Sequence, residues 1–350
     1  MSGTGIGRKL GLKTLLFPIF VILAIIVGLV LGAKFKAENT GVATFGIPIG
    51  LFFMIYPAMT KVRLGDIGKS VKDLKTIGMM VFLNYAVAPF LVAGLAYLFF
   101  NTIFLHMGLL PPSVISQVIV GIILLGIAPC IAMVMVWTDL AHGNLPLGVS
   151  FVAWNSIIQV ITTPFLVYVL ARTSVVISPL LILESVLLYL VSPLLAGIAT
   201  RGVLHRRRYF SRVLNTLGSV QTAALLFTII VIFWSEGSGI TRSPILIVLV
   251  GIVMLTFYFV LFHIGYFTAK RLGNNYADST SIGFTVSARD FEVSIAIAIA
   301  AFSAYPFVAV TTAIGPLLEI PLMLSLVWLQ LRRETFLNVN KSSNIANGVK

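Results

Sequence analysis

Ten separate runs in this sequence are apolar enough to cross a membrane, and that count dictates both the solvent and the secondary structure available to the chain. A crossing helix needs about 20 mainly apolar residues. The runs 14–33, 44–60, 77–100, 113–137, 147–169, 176–198, 220–235, 245–267, 279–301 and 308–329 meet or approach that length, the second and seventh being the shortest. Composition agrees, since 59% of residues are hydrophobic and only 10% are charged, where a soluble globule carries about a quarter. In hydrocarbon every backbone N–H and C=O must be bonded within the protein, so such runs become helices. The expected fold is an all-α membrane protein with ten transmembrane helices. The first run lacks a small-residue cleavage site and precedes nine more, so it reads as a retained helix rather than a signal peptide.

The net charge of +13 follows from topology. With the N-terminus placed in the cytoplasm, the inward segments hold 19 Lys/Arg and the outward loops 4, with Arg289 the last of 24. The positive-inside rule then puts both termini in the cytoplasm of a multi-pass protein of the cell membrane, and no nucleic acid is needed to explain the basicity. Arg206-Arg207-Arg208 reads as a topology anchor, with membrane lipid headgroups as secondary partners. A single cysteine permits no internal disulfide.

No segment between the runs is long enough for a soluble catalytic domain. The longest polar stretches are 61–76, 199–219 and the tail 332–350, whose Asn/Ser/Lys composition predicts disorder. Residues 1–350 therefore read as one polytopic membrane domain. Dividing the runs at 170–175 gives repeat one, about 14–169, and repeat two, about 176–329. Five is odd, so the second set enters the membrane with opposite orientation, as in an inverted repeat. Short internal matches agree: Ala128-Pro129-Cys130 answers Ala288-Arg289-Asp290, and Thr163-Pro164-Phe165 answers Ile320-Pro321-Leu322.

The fourth run of each half is interrupted, by Gly126 and Pro129 in the first and by Thr285-Val286-Ser287-Ala288-Arg289-Asp290 in the second. Non-helical backbone at membrane depth survives only where protein or a water-filled cavity bonds it, so paired breaks point to a midplane binding site. A proline kink filled by neighbouring helices is the alternative for Pro129. The only cysteine, Cys130, follows that proline. A soft ligand beside a broken helix suggests transport of a thiol-seeking solute, although a free cysteine alone is more often inert core.

Glu184, Arg289, Asp290, Glu292 and Glu319 lie in apolar runs, where a central Asp, Lys or Arg costs about 2.5–3.5 kcal/mol. Arg289 and Glu292 are three apart, so an intact helix would let them form a fixed ion pair. The alternative is an unwound backbone at 288–290 that turns Arg289 towards Asp290 or a cavity water and leaves Glu292 free to titrate. Glu184 and Glu319 lie outside both interruptions and read as buried hydrogen-bonding groups. Asn84 and Tyr85 before Pro89, Asn155 with Gln159, and His263 add polar groups; helix-to-helix hydrogen bonding and ligand contact both fit them.

No zinc-protease, phosphate-loop or nucleophile-elbow motif is present, so the chain does not read as an enzyme and no cofactor is expected. Without a nucleotide loop, transport has to run on an ion gradient.

Four strings carry a resemblance: Met54-Ile55-Tyr56-Pro57-Ala58-Met59-Thr60-Lys61-Val62, the run Gly126-Ile127-Ala128-Pro129-Cys130-Ile131-Ala132-Met133-Val134-Met135-Val136-Trp137, Trp154-Asn155-Ser156-Ile157-Ile158-Gln159, and Phe291-Glu292-Val293-Ser294-Ile295-Ala296-Ile297-Ala298. They resemble the arsenical-resistance-3 arsenite permeases, whose superfamily also holds bile acid/sodium symporters. The resemblance covers all ten runs in order. It implies a ten-span inverted repeat with crossed fourth and ninth helices, and export of trivalent arsenic (arsenite, sometimes antimonite) in exchange for protons. It also implies that Cys130 and Glu292 are the residues on which transport depends. Arg289 and Asp290 depart from the small or amide residues more usual ahead of Phe-Glu.

Chemistry fits that implication. Arsenite at neutral pH is an uncharged trihydroxide whose As(III) prefers sulfur, and one thiol captures it without trapping it. Exposed N–H groups at the half-helix after Pro129 would favour the Cys130 thiolate. Asn84, Asn155 and Gln159 are candidate substrate contacts, and Glu292, with Arg289 and Asp290, the proton-coupling group. A sodium-coupled symporter of an organic anion, with Asn84, Asn155, Gln159 and Glu292 as hard oxygen ligands, is the second reading. An intramembrane enzyme or receptor without flux is a third. Self-association into a homo-oligomer is left open.

Overall fold

A computed structural model of the protein describes residues 12–35, 42–61, 74–131, 133–172, 175, 178–242 and 244–348. Most of the polar stretch 61–76 lies outside them. The chain is all-α. Among the described residues the extended backbone amounts to one isolated bridge between Pro129 and Arg289.

Each apolar run falls in a helix or a broken helix. These are α1 (Leu12–Lys34), α2 (Val42–Lys61), α3 (Leu74–Phe104), α4 (Pro112–Ile127), α5 (Val134–Leu140), α6 (Leu145–Ala171), α7 (Pro179–Leu204), α8 (Phe210–Arg242), α9 (Pro244–Arg271), α10 (Tyr276–Ser287), α11 (Phe291–Ala301) and α12 (Pro306–Gly348). Six described segments, in α3, α6, α7, α8, α9 and α12, are long and apolar enough to cross a membrane; the apolar parts of α1, α2, α4 and α11 are shorter. Local chemistry sets several boundaries. Asn144 caps α6 by accepting from the Leu147 N–H at 3.2 Å, and Asn275 caps α10 by accepting from the Asp278 N–H at 2.8 Å. Gly273, at φ +88°, turns the chain out of α9.

Proline shapes α3 from within. Pro89 has no N–H to offer the Tyr85 carbonyl, and the helix widens to a π-turn over Leu83–Val87, where the Ala88 N–H reaches the Leu83 carbonyl instead. Asn84, inside that turn, is fully buried.

The helices associate as two groups. In one, α8 packs along α1 and α2, and α7 packs on α2. In the other, α4 contacts α3, α6, α11 and α12, while α9 contacts α10 and α12. Small residues bring α2 and α8 together: a Cβ at Gly50 would collide with the Thr228 side chain.

Helix ends assigned to the same side by charge meet one another. His142 Nδ1 and Glu334 Oε2 are 2.7 Å apart, Asn144 donates to Asp278 Oδ1 at 2.7 Å, and Arg201 donates to the Thr60 carbonyl at 3.0 Å. On the opposite side Trp234 Nε1 donates to the Phe35 carbonyl at 2.9 Å and the Phe307 N–H to Gln117 Oε1 at 3.1 Å. The segment from Arg332 differs from its expected disorder, because α12 continues through it. Arg333 supports that turn by contacting His263 Nε2 at 3.0 Å.

Candidate functional site

Two helix breaks cross at the centre of the second group. After Ile127 the backbone becomes extended at Ala128 (φ −84°, ψ 122°), and after Ser287 it does so at Ala288 (φ −65°, ψ 137°). The two segments run antiparallel. The Cys130 N–H donates to the Ala288 carbonyl at 3.0 Å, and the Asp290 N–H donates to the Ala128 carbonyl at 2.9 Å. Each break therefore bonds polar backbone that the other exposes, which is what permits both in an apolar interior.

Side chains complete the repair. The carbonyl of Leu124 loses its helical partner because α4 stops, and Ser294 Oγ donates to it at 2.8 Å. Asp290 caps α11 by accepting from the Val293 N–H at 3.1 Å. Gly126 admits α3 closely, since a Cβ there would lie 2.5 Å from the Val92 side chain.

Cys130 is buried at this crossing, and its Sγ accepts from the Met133 N–H at 3.3 Å. The helix that follows, α5, has only two turns. Across the bridge, Asp290 and Glu292 are both buried beside the crossing. Glu292 also faces a small cavity between the helix groups, lined by Leu51 and Met54 of α2, Thr228 and Phe233 of α8, and Pro316 of α12.

The backbone is unwound at 288–290, as the second expectation has it, but the Arg289 side chain goes elsewhere. The break takes it off α11, away from pairing with Glu292, and its guanidinium turns to α3 rather than to Asp290. Nη2 donates to Asn84 Oδ1 at 3.1 Å and to the Val286 carbonyl, and the guanidinium carbon stands 5.6 Å from the centre of the Phe257 ring. Arg289 is fully buried, with Nε and Nη1 unpartnered. The network continues through Asn84 Nδ2 to Asn155 Oδ1 at 3.4 Å, on which Tyr85 OH also converges at 3.4 Å. Gln159, one turn along α6, is buried with both amide atoms unpartnered.

One sequence expectation changes. Glu184 is exposed rather than buried and hydrogen-bonded, because its position on α7 faces away from the helix group. His263 lies away from the crossing, tilted against the Phe259 ring, and its contact with Arg333 of α12 is one of the helix-to-helix bonds expected of it. Glu319 is buried on α12 and accepts from Tyr258 OH at 3.3 Å, as expected of a buried hydrogen-bonding group.

The chain is similar to known transport proteins. Residues 48–243 match the model of the Sodium Bile acid symporter family. The arsenical-resistance protein Acr3 of Corynebacterium glutamicum is 32% identical over 335 residues, covering 90% of this chain and 87% of its own. The Acr3 protein of Alkaliphilus metalliredigens is 30% identical, covering 92% and 93%. An uncharacterised transporter of Synechocystis, slr0944, is 31% identical, covering 92% and 89%. Together with a buried cysteine and a carboxyl pair at one helix crossing, these similarities establish that the chain belongs to the Sodium Bile acid symporter family, among its Acr3-type arsenical-resistance transporters.

Proposed function

We propose that the protein exports trivalent arsenic, as arsenite and with antimonite as a second substrate, in exchange for protons, through ten crossings built as two inverted five-helix repeats. The observation that carries this reading is the position of Cys130 and Asp290 on opposite strands of one hydrogen-bonded bridge, with Glu292 in the first turn of α11. A soft ligand for As(III) and a proton-holding group then move as one unit. The related arsenical-resistance proteins supply the substrate, and the ends that meet on each face support cytoplasmic termini in the cell membrane.

Coupling follows from where Glu292 points. Its cavity is walled by Leu51, Met54 and Phe233 of the first helix group. An ionised carboxylate against such a wall is costly unless water reaches it, whereas a protonated one is tolerated. The neutral state accordingly lets the two groups close over the crossing, and the ionised state favours an arrangement open to water. Gln159 and the Asn155 amide, with unpartnered polar atoms, are suited to the hydroxyls of arsenite as it enters towards Cys130.

The test is arsenite uptake into everted membrane vesicles under an imposed pH gradient. Uptake that follows the gradient and disappears in Cys130→Ser supports the reading. Uptake indifferent to pH but driven by sodium would replace it with sodium-coupled transport.

A further inference from the structure

The environment of the Arg289 guanidinium is the kind of oxygen set that holds a small hard cation. An amide oxygen (Asn84 Oδ1), a backbone carbonyl (Val286) and an aromatic face (Phe257) surround it. Glu319 of α12 is buried, accepts from Tyr258 OH at 3.3 Å and leaves Oε1 unpartnered. Hard oxygen donors of this type, gathered where two broken helices cross, favour alkali cations over soft metals. Arg289 is fully buried, and its charge belongs to no conventional ion pair with Glu292. A permanent positive charge on a tether fills the position instead, and Arg stays protonated at any working pH.

We propose that Arg289 is a resident cation occupying a latent monovalent-cation site, so that this transporter dispenses with the sodium its family description names. The carboxyl of Glu319 balances the tethered charge, which keeps Arg289 out of the proton exchange assigned to Asp290 and Glu292. Shortening Arg289 leaves Asn84 Oδ1, the Val286 carbonyl and Glu319 without a positive partner, and a sodium ion restores the balance. The inference rests on the transport reading only for its flux consequences; the occupancy of the site is read without any substrate.

The purified full-length protein and its Arg289→Ala, Arg289→Asn and Arg289→Lys variants would be melted in sodium, potassium and choline chloride at matched ionic strength. The wild type and Arg289→Lys should show no difference between sodium and choline. Arg289→Ala and Arg289→Asn should gain a saturable, sodium-specific rise in Tm of about 2 °C or more. Adding Glu319→Gln to Arg289→Ala should abolish that gain. A sodium-specific rise in the wild type, or short variants that melt alike in all three salts or fail to fold in any of them, would overturn the proposal. Because no arsenic is present, failure here is distinct from failure of the arsenite reading, which the vesicle assay reports.

Discussion

The two helix breaks have the same backbone path and opposite chemical causes. The first is covalent: Pro129 cannot donate, Gly126 lets α3 approach, and the side chain presented beside them is the Cys130 thiol. The second contains no proline and is held by side chains, with Asp290 capping α11 and Arg289 reaching Asn84. A pseudo-symmetric pair can thus divide its labour. Under the proposed transport reading, the strand that needs no charge to stay open carries the soft ligand, and the strand opened by charge carries the proton.

The sharpest way to break that division is Cys130→Ser. Serine can still accept from the Met133 N–H, so the protein should fold, but arsenite efflux should drop to the level of cells lacking the transporter. Full resistance at normal expression would make the thiol a packing residue. Glu292→Gln should spare substrate entry while abolishing accumulation against a gradient, leaving only equilibration in vesicles. Uphill transport at the normal rate in that variant would move the proton carrier elsewhere.

Smaller effects separate the two causes of opening. Gly126→Ala forces a Cβ onto Val92 and should destabilise the purified protein by about 1–3 kcal/mol, read as a lower Tm with transport retained. Asp290→Ala removes the cap of α11 and should cost about 1 kcal/mol, whereas Asp290→Asn keeps most of it. Pro129→Ala should cost less than Asp290→Ala, because the Cys130 and Asp290 N–H bonds persist and only chain entropy changes, by about 0.4–1 kcal/mol. The reverse order in melting experiments would show that the charged strand, not the proline, is the sturdier of the two.

Much of this was legible in the sequence, and the rest failed for a physical reason. Run length marks helices in an apolar chain, and a proline or a charged string marks where one stops, so both breaks could be read directly. The partners across the crossing could not. Asn84 lies 205 positions from Arg289, and no local pattern encodes that meeting. Helices that are apolar on all sides also give no period to distinguish the lipid face from the interior, which is why Glu184 and His263 were weighed alongside residues that prove central.

The reciprocal pairing of Ala128–Cys130 with Ala288–Asp290 also sets an order of events during biosynthesis. The first strand emerges about 160 residues before its partner, and at roughly 5–20 residues per second it waits on the order of 8–30 s for the groups that will bond it. Through that interval its exposed amides must be served by water or by the insertion machinery, so release of the fourth segment into lipid should lag until the ninth arrives. Truncation just before residue 288 would leave a nascent chain whose apolar segments have inserted and whose centre has nothing to close on.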